Sequence, residues 1–345
     1  MYEGPRFLRA CRRQSVDATP VWIMRQAGRY LPQYKETRAK AGDFLTLCKT
    51  PELACEVTLQ PVEILKVDAA ILFSDILIPV EAMGVGLAFL EGEGPKLEPV
   101  RSESDIARLH VPDPAQETGF VLEAVRLIRR ELDSRVPLIG FSGAPFTLAT
   151  YLVEGGTSKS FRRVLSWLYS DPPGFQRLLD LLAETVILYL RAQVEAGAQA
   201  LQIFDTWAGL LSRRLYREFA LPPTTRIVQA LKSLGVPAIL YVNGCAPFLE
   251  EMGASGVDVI SVDWRVSLAE AAVKTAGAVS LQGNLDPMAL FAPAGLLERE
   301  VERVLGEAPE RGHVFNLGHG IQPETPVESA QALVEMVHRL GRKEP

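Results

Sequence analysis

Cysteine and histidine are both scarce in this chain of 345 residues, which holds four of each. Cys11, Cys48, Cys55 and Cys245 show no C-x-x-C spacing and no histidine at metal-ligand separation. That argues against a zinc ribbon or a disulfide framework and leaves them as small buried hydrophobes, so no metal is expected. Long hydrophobic runs are missing too. The start, MYEGPRFLRACRR, is basic and mixed, and the weakly charged stretch Ile76 to Phe89 contains Glu81 and is too short to cross a bilayer. The expectation is a cytoplasmic protein with no membrane partner. Nor is there a low-complexity linker or a compositional break, so residues 1–345 read as a single domain.

An overall positive charge is also lacking, since the formal net charge is −6. Residues 1–40 nevertheless carry nine Lys or Arg against three acidic side chains, leaving 27 basic and 39 acidic residues in the rest of the chain. An acidic body repels polyanions, so no nucleic-acid partner is expected, while a basic N-terminal segment can steer a small anionic ligand. Residues 1–13 read as a mobile basic arm.

What the chain does contain is a recurring unit, in which a short β-type apolar run ends in a polar residue and leads into a helical stretch. The runs are VWIM (21–24), AAILFSD (69–75), PLIGFS (137–142), ALQIFD (200–205), PAILYVN (237–243), VDVISVD (257–263), AVSLQGN (278–284) and HVFNLGH (313–319). Gly197, Gly235 and Gly256 end the helices before three of them, and Leu178, Leu179, Leu182, Val186 and Leu190 mark one long amphipathic helix. Eight such units imply an α/β fold, a single-domain (β/α)8 TIM-type barrel, with an open doubly wound sheet as the alternative. In a barrel, catalytic groups belong at the C-terminal strand ends, here Arg25, Asp75, Ser142, Asp205, Asn243, Asp263, Asn284 and His319. Turn chemistry alone also favours polar residues there.

The segment PVWIMRQAGRYLPQY, Pro20 to Tyr34, gathers two arginines, a glutamine and a glycine after an apolar run. If it is helical, Arg25 and Arg29 at i, i+4 leave one face and can clamp carboxylates, with Gln26, Ala27 and Gly28 completing an anion-binding turn. A solvated surface pair is the bland reading. Asp75, in LFSDILIP, is bracketed by apolar neighbours; it is either a functional carboxylate or the cap of the following turn. Asp205 reads as the N-cap of the next helix, and His110, His313 and His338 as surface or loop positions.

The string P-x-W-x-M-R-Q-A-G-R resembles the N-terminal signature of the uroporphyrinogen decarboxylase family. GFSGAPFTLATYLVEGG, Gly140 to Gly156, resembles its second signature, and the likeness runs from about Phe7 through NLGHGIQPETP, Asn316 to Pro326. The resemblance implies decarboxylation of the four acetate side chains of uroporphyrinogen III to give coproporphyrinogen III, without a cofactor, by a homodimer with facing clefts. It further implies that Asp75 accepts the pyrrole N–H groups and that Arg25 and Arg29 hold substrate carboxylates. Tyr151, Thr206 and His319 bind substrate on the same grounds, with Arg25, Arg29 and Asp75 as the catalytic set and the proton donor left open. Gln322 departs from the aliphatic residue usual at its place in the last motif. Two other classes remain in view. Zinc methyltransferases of related fold use an H-x-C pair at a strand end, where this chain has Tyr241 and Asn243; a non-catalytic tetrapyrrole carrier would retain only the pocket.

Overall fold

The computed structural model describes residues 4–90, 92 and 94–343. Its strands are β1 (Ala70–Ile71), β2 (Leu87–Leu90), β3 (Gly94–Leu97), β4 (Leu138–Gly143), β5 (Ala200–Asp205), β6 (Ala238–Val242), β7 (Val259–Ser261), β8 (Ser280–Gln282) and β9 (His313–Val314). Seven of them form one parallel sheet in the order β1-β4-β5-β6-β7-β8-β9. Each lies inside one of the apolar runs, except that β4 extends one residue beyond its run, to Gly143. Every residue of β4 and β6 is buried, the pattern of parallel strands covered on both faces. The antiparallel hairpin β2–β3 was not foreseen, because Leu87–Leu90 continues an apolar stretch with no turn dipeptide separating it from its partner.

The first run, VWIM, supplies the eighth stave without forming a regular strand. Val21 bridges Phe315 in parallel; the Trp22 N–H donates to Phe315 O at 3.3 Å and the Phe315 N–H to Pro20 O at 2.8 Å. On its other edge the Asp68 N–H donates to Val21 O at 2.8 Å. The Val21 N–H, however, donates to the Asp68 carboxylate at 2.8 Å, so a side chain replaces a ladder partner and regular pairing stops. The segment therefore joins β9 to β1 and closes the sheet into a barrel.

The barrel interior is filled. Trp22 Nε1–H donates to Gln282 Oε1 at 2.8 Å, and Gln282 Nε2–H donates to Ser261 Oγ at 2.9 Å and to Gln202 Oε1 at 3.2 Å, all four side chains being wholly buried. Buried polar groups are mostly paired in this way, although Gln202 Nε2 has no partner among the described residues.

The long helix expected from the leucine spacing runs from Pro172 to Ala196, with Asp171 capping the Gly174 N–H at 3.0 Å and Gly197 at its end. Its buried face includes Leu178, Leu179, Leu182, Val186 and Leu190. Two expectations are corrected. In the described part of the basic N-terminal segment, Arg6–Cys11 is a helix with Phe7 and Cys11 buried, not a loose arm, and the Ser280 hydroxyl donates to Ala10 O at 2.9 Å; residues 1–3 lie outside the described residues. Burial of Phe7, Leu8, Ala10 and Cys11 together, with the helical hydrogen bonds, offsets the conformational freedom lost on ordering the segment. His313 is not a surface residue either. It opens β9, is buried, and places Nε2 2.9 Å from Gly283 O; burial pushes its pKa down to about 4.

Candidate active site at the barrel mouth

The polar residues that follow the strands surround the C-terminal mouth. The arginine segment reaches it as a series of turns, not as a helix, and Arg25 has a left-handed backbone at φ +63°. The i, i+4 argument for Arg25 and Arg29 therefore fails, although both side chains are exposed and neither forms an ion pair among the described residues. Helix formation is blocked because the Gln26 side chain bolts the turn to the barrel. Its Oε1 accepts the Ile23 N–H at 3.1 Å and its Nε2–H donates to Ala69 O at 3.0 Å, while the Tyr30 hydroxyl donates to Gln26 O at 2.8 Å. The Gln26 side chain is thus wholly buried and bonded to the backbone. Ala27 packs partly buried on the core. Gly28 is required by the turn itself, since a Cβ there would stand 2.8 Å from Arg25 O.

The last motif meets the first. The Met24 N–H donates to Asn316 Oδ1 at 2.9 Å and the Ile321 N–H to Met24 O at 2.9 Å. Gly320 makes room for the Arg25 side chain, because a Cβ there would lie 2.4 Å from Arg25 Cδ. Arg25 consequently lies beside His319. Together with burial, the Arg25 and Arg265 charges push the His319 pKa down to about 4, so the ring is neutral near pH 7. Its Nδ1 accepts the Gly320 N–H at 2.7 Å, which leaves the proton on Nε2.

Asp75 follows β1 and is partly buried. Its Oδ1 accepts the Leu77 N–H at 2.8 Å, so the capping role weighed from sequence is realised, but only on one oxygen. Oδ2 has no protein partner among the described residues. Burial pushes the Asp75 pKa up to about 6, held back by the Leu77 amide and the Arg25 charge. The same two charges act in opposite directions on Tyr151, whose hydroxyl is pushed up mainly by burial, so Arg25, Asp75 and Tyr151 share one electrostatic neighbourhood.

Tyr151 projects from the helix Pro145–Glu154 and meets Trp207 edge-on, ring centres 6.2 Å apart. Thr206 and Trp207 follow β5, and Thr206 is partly exposed. Asp205 does not cap the next helix, which corrects that expectation. Its Oδ1 accepts the Thr147 hydroxyl at 2.8 Å, and Thr147 Oγ1 accepts the Trp207 N–H at 3.1 Å, because the carboxylate points back into the barrel wall. Buried there, Asp205 has its pKa pushed up to about 7. This clasp ties the strand end carrying Thr206 to the helix carrying Tyr151.

Across the mouth, Asp263 is wholly buried and accepts the N–H groups of Gly244 (2.6 Å), Cys245 (2.9 Å) and Arg265 (2.9 Å). Trp264 and Arg265, which sequence reasoning passed over, stand just beyond it. The Arg265 guanidinium lies over the Trp264 ring at 4.1 Å, and Trp264 meets His319 edge-on at 6.3 Å. An aromatic and an arginine directly after a polar strand end were the available signal. Among the described residues no group of three or more His, Cys, Asp or Glu has the arrangement to hold a metal ion, and no helix is long and apolar enough to cross a membrane.

Residues 3–340 match the family described as Uroporphyrinogen decarboxylase (URO-D). Uroporphyrinogen decarboxylase of Yersinia pestis (strain Pestoides F) is 53% identical over 346 residues, covering 99% of this chain and 98% of that one. The enzyme of the same name from Edwardsiella ictaluri (strain 93-146) is 54% identical over 345 residues, covering 98% of each. Among solved structures, a methyltransferase from Methanosarcina mazei superposes with a TM-score of 0.82 at 25% identity, over 98% of this chain and 99% of that one. A B12-independent methionine synthase from Shewanella sp. W3-18-1, at 10% identity and a TM-score of 0.57 over 95% of this chain and 98% of that one, shares the fold alone. The full-length match, with its arginine turn, Asp75, Tyr151 and His319 gathered around one mouth, leaves no ambiguity of kinship: the chain belongs to the uroporphyrinogen decarboxylase family.

Proposed function

We propose that this protein decarboxylates the four acetate side chains of uroporphyrinogen III to methyl groups, giving coproporphyrinogen III for haem or related tetrapyrrole synthesis. The observation that carries the reading is Asp75: a carboxylate at a barrel strand end with one oxygen bonded and the other open, inside a mouth flanked by two arginines that form no ion pair among the described residues. The reaction needs a fixed anion there. A proton added to the α-carbon of the pyrrole, beside the ring carbon that bears the acetate, gives a cationic pyrrole, whose conjugated iminium draws in the electron pair of the breaking C–C bond as carbon dioxide leaves. A second proton on the resulting exocyclic carbon and loss of the ring proton complete the methyl group. The pyrrole is its own electron sink, so the chemistry requires no cofactor. Asp75 accepts the pyrrole N–H groups and stabilises the cation by preorganised electrostatics. Arg25 and Arg29 hold carboxylates, Gly28 shapes their turn, and the neutral His319 donates from Nε2. Tyr151 and Thr206 contribute hydroxyls.

The methyltransferase likeness favours a second reading only weakly. Where a zinc-binding pair would stand, the Tyr241 hydroxyl donates to Gly318 O at 3.0 Å and Asn243 Oδ1 accepts from Arg265 at 2.9 Å, a donor set without thiolate or imidazole. A cytoplasmic homodimer of one-domain subunits completes the proposal, and sedimentation at twice the mass of one chain is the expected result. The deciding experiment is anaerobic incubation of metal-stripped protein with uroporphyrinogen III, followed by separation of the oxidised products by carboxylate number. A stepwise fall from eight to four carboxylates is expected. Tight binding with no carboxylate lost would overturn the enzyme in favour of a carrier.

A further inference from the structure

The closed ring of staves runs from the Pro20–Met24 segment through β1, β4, β5, β6, β7 and β8 to β9, so β7 stands four places from β1, directly across the barrel. Asp75 follows β1, and Arg265 follows β7. Arg265 is preorganised. One Nη1–H donates to Asn243 Oδ1 at 2.9 Å, the guanidinium lies over the Trp264 ring at 4.1 Å, and Asp263 Oδ1 is 3.3 Å away. Asp263 does not consume it, because its oxygens already take the amides of Gly244, Cys245 and Arg265. Nε and Nη2 have no acceptor among the described residues, and the side chain is 49% exposed. A stacked, half-held guanidinium with two free donors is built to meet a carboxylate with little loss of side-chain freedom.

We propose that Arg265 binds a carboxylate on a pyrrole ring remote from the one being decarboxylated, making it a specificity residue on the wall opposite Asp75. The inference rests on the tetrapyrrole reading above. A macrocycle whose acidic side chains radiate in all directions cannot be balanced by Arg25 and Arg29 alone, since both follow the first stave. The field of Arg265 reaches into the same mouth, where it adds to that of Arg25 at His319 and at Tyr241. A contact far from the reacting carbon is made equally in ground and transition states, so it acts on KM and leaves kcat nearly untouched.

The test compares Arg265→Gln and Arg265→Ala with the wild type, using anaerobic turnover of uroporphyrinogen III and equilibrium binding of oxidised uroporphyrin followed by tryptophan fluorescence. Glutamine can keep the hydrogen bond to Asn243 while removing the charge. Both variants should raise KM and weaken porphyrin binding about tenfold, the size of one charge-assisted hydrogen bond, with kcat within about twofold. The gap from wild type should narrow as salt rises. An unchanged KM and affinity in Arg265→Gln, or a fall in kcat at constant KM, would overturn the assignment. If the wild type releases no carbon dioxide, the decarboxylase reading falls separately, and the porphyrin affinities still decide for or against Arg265.

Discussion

Two carboxylates stand at opposite sides of the same mouth and differ in how far the protein satisfies them. Asp263 accepts three backbone amides and is wholly buried; Asp75 accepts one and is partly open. Residue type and strand-end position are alike, so neither distinguishes scaffold from site. The count of unused acceptor positions does. A saturated buried anion holds loops together, whereas a carboxylate kept half-empty at the expense of stability is available to a ligand.

The widest separation of the two should come from their amides. Asp75→Asn is expected to lower kcat by about 10²–10³, the usual loss for one preorganised electrostatic partner, while leaving the fold at least as stable. Asp263→Asn should do the reverse, costing about 3 kcal/mol of stability because an amide cannot accept from all three N–H groups without turning a donor toward one of them. Product analysis beside thermal unfolding reads both; equal effects in the two variants would erase the contrast. Next in size is pH. With the Asp75 pKa near 6, activity should fall about tenfold per unit as the pH drops below that value, and His319, near 4, does not contribute to that limb. Stability moves the other way. The folded pKa lies above the ordinary carboxylate value, so the Asp75 contribution to stability is fullest below the ordinary value and is lost as pH rises through about 6. A wild-type activity limb near 6 that persists unchanged in the residual activity of Asp75→Asn, which has no carboxyl at that position, would assign it elsewhere.

A third comparison sets the mouth against the barrel interior. Gln282→Leu strands the Trp22 indole N–H and should cost roughly 1–3 kcal/mol in denaturant unfolding, with kcat within about twofold. Smallest is Thr147→Val, which opens the clasp between Asp205 and Trp207. Stability should fall by about 1 kcal/mol and kcat by a few-fold, because Tyr151 and Thr206 lose their common brace while keeping their hydroxyls.

The seven sheet strands and the long helix were legible because apolar runs of even spacing and glycine stops are local signals. The strand-end rule likewise located Asp75 and His319 on one rim, whereas Thr206 came from the family resemblance alone. What sequence could not convey was pairing at a distance. Asp205 was misread because its partner, Thr147, lies 58 residues earlier in the chain. Whether the arginine segment is helical was left open because the Gln26 bolt to Ala69 is invisible to periodicity. His313 was passed over because a short final strand gives a weak burial signal.

The eighth stave also has a temporal meaning. The Met24 amide finds its acceptor on Asn316, 292 positions further along the chain. During synthesis, then, the segment bearing Arg25 can meet Asp68 early but lacks its partners on the β9 side until nearly the whole polypeptide has emerged, and such distant pairings form slowly. A truncated product lacking the last motif keeps Asp75, Tyr151 and both arginines in its sequence, yet it leaves the first stave without its partner at Phe315 and Arg25 without its seat beside Gly320. Binding competence is in this way a proofreading mark of a finished chain.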